Sequence, residues 1–292
     1  MAVMRSWLFV AGHDKTGLDA ALPMKADVLV LDLEDLVPPA EKPKARTMVR
    51  ENLAHAASAG AEVWVRVNAW ETGMTDEDID AVVYPGLNGV NLTKVAGKQD
   101  VLRLAKRLDV LERDRGIEPG SIKICLLVET AIGIANADES CAAHERVVAA
   151  IFGAVDYTRD MQVKLTPEGA EQLYARSRLG VAARAARILP IDAPFLDYTN
   201  ASGYEKNINE GKQLGFKGRM IVHPDLVPAA NRLYAPTDDD VKWAKKVISE
   251  FEANALAKGK AAIVVDGGLV DTPVYYNAQD IMANYKEVCT KN

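Results

Sequence analysis

The sequence predicts an α/β fold, a (β/α)8 TIM barrel carrying a short C-terminal helix–strand–helix lid or arm. Three observations carry this prediction. Eight short apolar, β-branched runs recur, each closed by a polar or acidic residue, and stretches with helical spacing lie between them. After residue 235 the alternation stops. Strands alternating with helices imply βαβ units and a parallel sheet, and eight such units fit a closed barrel better than an open sheet.

In order, the strand-like runs are 6–12, 27–35, 63–69, 89–95, 122–130, 147–156, 193–197 and 220–223. Residues 28–31 and 124–128 are continuously apolar, as a sheet buried on both faces requires. Helical spacing is clearest over 42–57, 101–115 and 168–188. The barrel domain is placed at 1–235 and the lid or arm at 236–292. Tyr234-Ala235-Pro236-Thr237 breaks the pattern, and 238–258 then reads as an amphipathic helix capped by Thr237 or Asp238. A strand at 262–265, a turn at Asp266-Gly267-Gly268 and a helix from about Pro273 complete the chain.

Composition narrows the function classes. The 292 residues are 49% hydrophobic and 26% charged with a net charge of −6, ordinary for a globular enzyme. No basic stripe runs along any segment, which argues against nucleic acid as a partner. Cys125, Cys141 and Cys289 are widely spaced and odd in number, fitting reduced thiols rather than a disulfide framework or a zinc site. No apolar run reaches the roughly 18 residues that would span a bilayer, and residues 1–10 lack a signal-peptide pattern. The expectation is a soluble, cytoplasmic protein with no membrane partner.

In a barrel the active site lies at the carboxyl ends of the strands. Those positions are His13; Asp32, Glu34 and Asp35; Arg66 and Asn68; Lys94; Glu129; Asp156; Asp197; and His223. The carboxylates concentrate in Asp-Leu-Glu-Asp, Val-Glu-Thr and Val-Asp-Tyr. Carboxylates crowded in one mouth raise one another's pKa unless a cation sits among them. Magnesium, which takes one or two carboxylates and keeps waters, fits better than zinc, since there is no His/Cys cluster. A single acidic residue after a strand can equally be the N-cap of the next helix. Glu129 resists that reading because Thr130, the better cap, follows it. From pattern alone the reading stops at a metal-assisted barrel enzyme.

At these residues the chain resembles the citrate lyase beta-subunit and malyl-CoA (citramalyl-CoA) lyase family of the HpcH/HpaI aldolase superfamily. The resemblance runs through Arg5-Ser6-Trp7-Leu8-Phe9-Val10-Ala11-Gly12, Leu31-Asp32-Leu33-Glu34-Asp35-Leu36-Val37 and Val65-Arg66-Val67-Asn68. It continues in Leu127-Val128-Glu129-Thr130-Ala131, Ile151-Phe152-Gly153-Ala154-Val155-Asp156-Tyr157 and Gly215-Phe216-Lys217-Gly218-Arg219-Met220-Ile221-Val222-His223-Pro224. It implies that Glu129 and Asp156 ligate Mg2+, that Arg66 binds the oxo-acid half, and that Glu34 and Asp35 hold metal-bound waters. Arg5 and Lys94 resemble substrate-binding positions on the phosphate and pantetheine side. Gly268-Leu269-Val270-Asp271-Thr272-Pro273 is similar to a segment of stand-alone members whose aspartate is the general acid/base, often across a subunit boundary. That would make Asp271 catalytic; the alternative is an N-cap for the last helix. Ala11, Thr93 and Val155 depart from the family's usual residues but leave Arg66, Glu129 and Asp156 intact.

The implied chemistry is a retro-aldol, Claisen-type cleavage of a 3-hydroxy-3-carboxyacyl-CoA such as citramalyl-CoA or malyl-CoA. The products would be acetyl-CoA and a 2-oxo acid, pyruvate or glyoxylate, by way of a thioester enolate. The alternatives are a citryl-acyl-carrier lyase subunit, a malyl-CoA thioesterase and a non-catalytic barrel scaffold. The resemblance also implies a homo-oligomer, a trimer or hexamer.

Overall fold

In the computed structural model, which describes residues 3–291, eight parallel strands close into a barrel in sequence order. They are β1 (Ser6–Ala11), β2 (Val28–Asp32), β3 (Glu62–Val67), β4 (Gly89–Leu92), β5 (Lys123–Val128), β6 (Val147–Phe152), β7 (Leu189–Asp192) and β8 (Gly218–Ile221). Strand residues alternate between the barrel interior and the surrounding helices, so both faces are apolar. The interior packs Trp7, Phe9, Val30, Trp64, Leu127 and Ile151. The Trp7 and Trp64 rings meet at 5.1 Å between centroids.

So large a ring as Trp64 needs an empty neighbour, and Gly89 supplies it. A Cβ built on Gly89 would stand 2.3 Å from Trp64 Cζ3. Gly89→Ala is therefore expected to destabilise the barrel by about 1–3 kcal/mol, the range for overpacking a filled core. A lowered urea midpoint at unchanged slope would show it.

The seventh strand differs from the sequence expectation. It covers Leu189–Asp192 rather than 193–197. The Asp197 carboxylate instead accepts the Thr199 hydroxyl at 2.8 Å in the turn before the helix Ala201–Gln213. Asp197 is thus not a strand end; Asp192 is, and it faces the helices, where Arg176 binds it at 2.6 and 3.1 Å.

The chain divides into two compact units, residues 4–231 and residues 232–291 with Val3. In the second, Thr237 caps the helix Asp238–Asn254: its hydroxyl accepts the Asp240 N–H at 3.1 Å, and Asp240 accepts the Thr237 N–H at 2.9 Å. Strands β9 (Ala262–Val265) and β10 (Gly268–Asp271) form an antiparallel hairpin. Its two turn residues, Asp266 and Gly267, both have positive φ, at 51° and 79°, as a type I′ turn demands. The helix Thr272–Lys291 follows, with Tyr275 stacked on Phe251 at 4.8 Å. Among the described residues no helix is long and apolar enough to cross a membrane.

Candidate active site

Asp32 and Arg66 end β2 and β3 in the inward phase set by Val30 and Trp64, and Glu129 continues the phase of Leu127 one residue past β5. All three are buried. Asp32 and Arg66 are register partners on adjacent strands. They form a two-pronged ion pair, Nε to Oδ1 at 2.5 Å and Nη2 to Oδ2 at 2.6 Å. The remaining guanidinium nitrogen lies 3.0 Å from Glu34 Oε2. Asp32 also accepts the backbone N–H groups of Glu34 and Leu36, at 3.0 and 2.8 Å. One carboxylate therefore fixes both the arginine and the turn that presents Glu34 and Asp35.

Lys42, at the head of the helix Lys42–Ala57, clamps that turn from behind. Its buried ammonium donates to the carbonyls of Leu33 and Glu34 at 2.8 and 2.9 Å and to Asn68 Oδ1 at 2.7 Å. Burial pulls the Lys42 pKa down while Asp32 and Asp78 oppose it.

Lys94 follows β4 with a left-handed backbone, φ 50°. That conformation costs a non-glycine residue about 1–2 kcal/mol, so its contacts must hold it. Its N–H donates to Glu129 Oε1 at 3.1 Å, and its ammonium lies 2.8 Å from Glu34 Oε1 and 3.9 Å from Asp156 Oδ1. Asp156 is partly exposed in the first turn of the helix Ala154–Asp160. Between β6 and that helix stands Gly153, where a Cβ would lie 2.4 Å from Glu129 Oε2. Glycine here reserves the space that the carboxylate occupies.

The electrostatics are strained. Burial pushes the Glu129 pKa well above the carboxylate range, and Asp156 and Glu34 push it further, against Arg66 and Lys94. Burial likewise raises Glu34, with Arg66 and Lys94 pulling it back. Burial would lower the Lys94 pKa, but its Glu34 partner, with Glu129 and Asp156 nearby, leaves it raised. Four carboxylates (Asp32, Glu34, Glu129, Asp156) against two cations (Arg66, Lys94) leave a formal charge of −4 + 2 = −2. A divalent cation would balance it. Among the described residues no three His, Cys, Asp or Glu side chains converge as a metal cage. An all-oxygen pair such as Glu129 and Asp156 suits magnesium, which binds through one or two carboxylates and takes its other ligands from substrate and water.

The structure thus brings together Glu34, Arg66, Lys94, Glu129 and Asp156, with exposed Asp35 beside Glu34. It does not bring Arg5 there, which corrects the expectation of a substrate-binding role. Arg5 precedes β1, at the amino end of the barrel, and is held by Asp27, which precedes β2, at 2.8 and 3.0 Å. Active-site residues lie at the opposite end. Asp271 belongs to the second unit, where its carboxylate accepts the Val274 N–H at 3.3 Å at the head of the last helix. His223 stacks on Tyr198 at 4.4 Å, and His13 follows β1 half-buried. Sequence reasoning placed Asp32 at a strand end without giving it a role and did not assign Lys42 to the site. The signal for Asp32 was an acidic and a basic residue ending consecutive strands; Lys42 offered none beyond its place on the buried side of a helix.

Comparison with known proteins shows the family. The model of the HpcH/HpaI aldolase/citrate lyase family matches residues 5–224. The chain belongs to that family. It is 36% identical to citrate lyase subunit beta of Escherichia coli strain K12, over 96% of this chain and 92% of that protein. It is 26% identical to human mitochondrial citramalyl-CoA lyase, over 94% of this chain and 84% of that one. The crystal structure of CitE from Mycobacterium tuberculosis with magnesium, acetoacetate and coenzyme A superposes with a TM-score of 0.77. It is 26% identical and covers 98% of each chain. The chain is an enzyme of the lyase class, on the TIM barrel its sequence predicts.

Proposed function

We propose that this lyase cleaves, or forms, a carbon–carbon bond in a 3-hydroxy-3-carboxyacyl-CoA, with acetyl-CoA and a 2-oxo acid as the other side of the reaction. The observation that carries the reading is the buried Glu129 carboxylate beside Asp156, in a mouth that also holds the Asp32-braced Arg66. Glu129 and Asp156 would hold Mg2+, with Glu34 and Asp35 orienting its waters. Bound there, the ion supplies Lewis-acid polarisation and a template for the substrate's oxygens. Arg66 is pre-positioned by Asp32, so its guanidinium can bind the oxo-acid carboxylate without reorganising. The Lys94 ammonium, on the same face as Glu34, would fix the thioester side. Asp271 would move the proton to and from the acetyl carbon, from this chain or a neighbouring copy in a trimer or hexamer. Asp271→Asn is then expected to slow turnover by roughly 10²-fold, as loss of a general acid/base does, and to leave substrate binding by calorimetry unchanged.

The experiment is product analysis by mass spectrometry with citramalyl-CoA and malyl-CoA, each with Mg2+ and with EDTA. Acetyl-CoA plus pyruvate or glyoxylate, lost with EDTA, is the expected result. Free CoA with an intact hydroxy acid would make the protein a thioesterase instead. A second reading, a citryl-thioester lyase subunit serving a carrier protein, draws support from the 36% identity to citrate lyase subunit beta. That match spans 96% of the chain, so length does not separate the two readings. Cleavage of a carrier-bound citryl thioester, with both CoA esters untouched, would establish it.

A further inference from the structure

The barrel interior holds a polar side chain that the site above does not use. Asn91 lies in β4 two residues after Gly89, whose missing Cβ faces Trp64, so Asn91 points inward by strand alternation. It is fully buried, and neither Nδ2 nor Oδ1 has a hydrogen-bond partner among the described residues. A buried amide left unpaired loses its hydration with nothing in return, which is why buried polar groups are almost always satisfied. Its neighbours locate its role. Arg66 is its register partner on β3 and Cys125 its partner on β5. Adjacent strands run about 4.8 Å apart, so the Arg66 and Asn91 side chains leave the sheet side by side. Arg66 leans the other way, toward Asp32 and Glu34 and over the Phe9 ring, 5.2 Å from its centroid. On the β5 side its register partner is Cys125, which carries a small thiol. An amide offering two donors and an acceptor in such a place is satisfied by a molecule that both donates and accepts. A single water does so, given two or more polar partners.

We propose that Asn91 is a positioning residue for Arg66: its amide binds an internal water that supports the guanidinium from the β4 side, opposite its Asp32 brace. The kinetic part of the test rests on the lyase reading; the structural part does not. Asn91→Leu keeps the branched outline of the side chain and deletes both hydrogen-bonding groups. The expected result is an unchanged or higher melting temperature, with KM for the thioester raised roughly 3–10-fold at unchanged Mg2+ affinity. Asn91→Ser, which keeps a hydroxyl and room for water, should restore the wild-type KM; if the leucine variant does not fold, the wild-type crystal structure decides. A high-resolution crystal structure of the wild-type protein should show the water on Asn91, the serine variant should keep it, and the leucine variant should lose it. No water at Asn91, or a leucine variant with wild-type KM and an unmoved Arg66, would overturn the proposal. Wild-type protein inactive on every thioester would count against the lyase reading alone, and the crystal structures would still decide this one.

Discussion

Arg66→Met is expected to abolish turnover and to lower folding stability by about 3–5 kcal/mol, the range for removing one partner of a buried ion pair. The asymmetry of the pair sets the size of the effect. Asp32 is fully buried, and its carboxylate answers to Arg66 through two prongs, with two backbone N–H groups as its other partners. Without the guanidinium, a charged carboxylate would remain where solvent cannot reach it. Asp32→Asn in the same chain removes that charge and keeps an oxygen for a backbone N–H, so the double variant should regain most of the lost stability and none of the activity. Urea unfolding of the wild type, both single variants and the double variant gives the coupling directly. A methionine variant as stable as the wild type would show that the Arg66 ion pairs contribute little to folding stability. Arg66→Lys separates charge from shape: a lysine cannot make the fork, so stability should recover in part while turnover stays low.

The same pair shows what could be read from the chain in advance. Eight apolar runs located all the barrel strands but one, because a buried parallel sheet writes continuous Val, Ile and Leu into the sequence. The exception was β7, where Leu-Pro-Ile-Asp is only four residues long and the neighbouring stretch 193–197, with a proline of its own, offered a second short apolar run. Strand ends then gave Arg66, Glu129 and Asp156, since a barrel puts every strand's carboxyl end in one place. Register is what the sequence withholds. That Asp32 faces Arg66, that Asn91 lies beside it, and that Lys94 turns left-handed to point at Glu34 all depend on how strands slide past one another. Arg5 was misjudged for the related reason that a residue before a strand and one after it look alike in a motif, though they lie at opposite ends of the barrel.

Glu129→Gln should separate function from stability most sharply. Glu129 is buried beside Asp156 and Glu34, and its pKa is raised by burial first and by those carboxylates second. A raised folded-state pKa means that its contribution to stability is full below the unfolded value and is lost as pH rises through the folded one. In EDTA, the wild-type melting temperature should therefore fall as pH climbs above the ordinary carboxylate range. The glutamine variant, neutral at every pH and nearly the same shape, should lose that slope and melt at or above the wild type near neutrality. Adding Mg2+ reverses the comparison, because a divalent ion binds the ionised carboxylate and stabilises the wild type by mass action. The variant should show little or no Mg2+-induced rise in melting temperature. Its Mg2+-dependent turnover should drop by roughly 10³-fold or more, beyond the 10–100-fold typical of losing only a ligand's supporting partner. A glutamine variant that kept its Mg2+-induced rise would move the metal away from Glu129, and with it the chemistry assigned to this mouth.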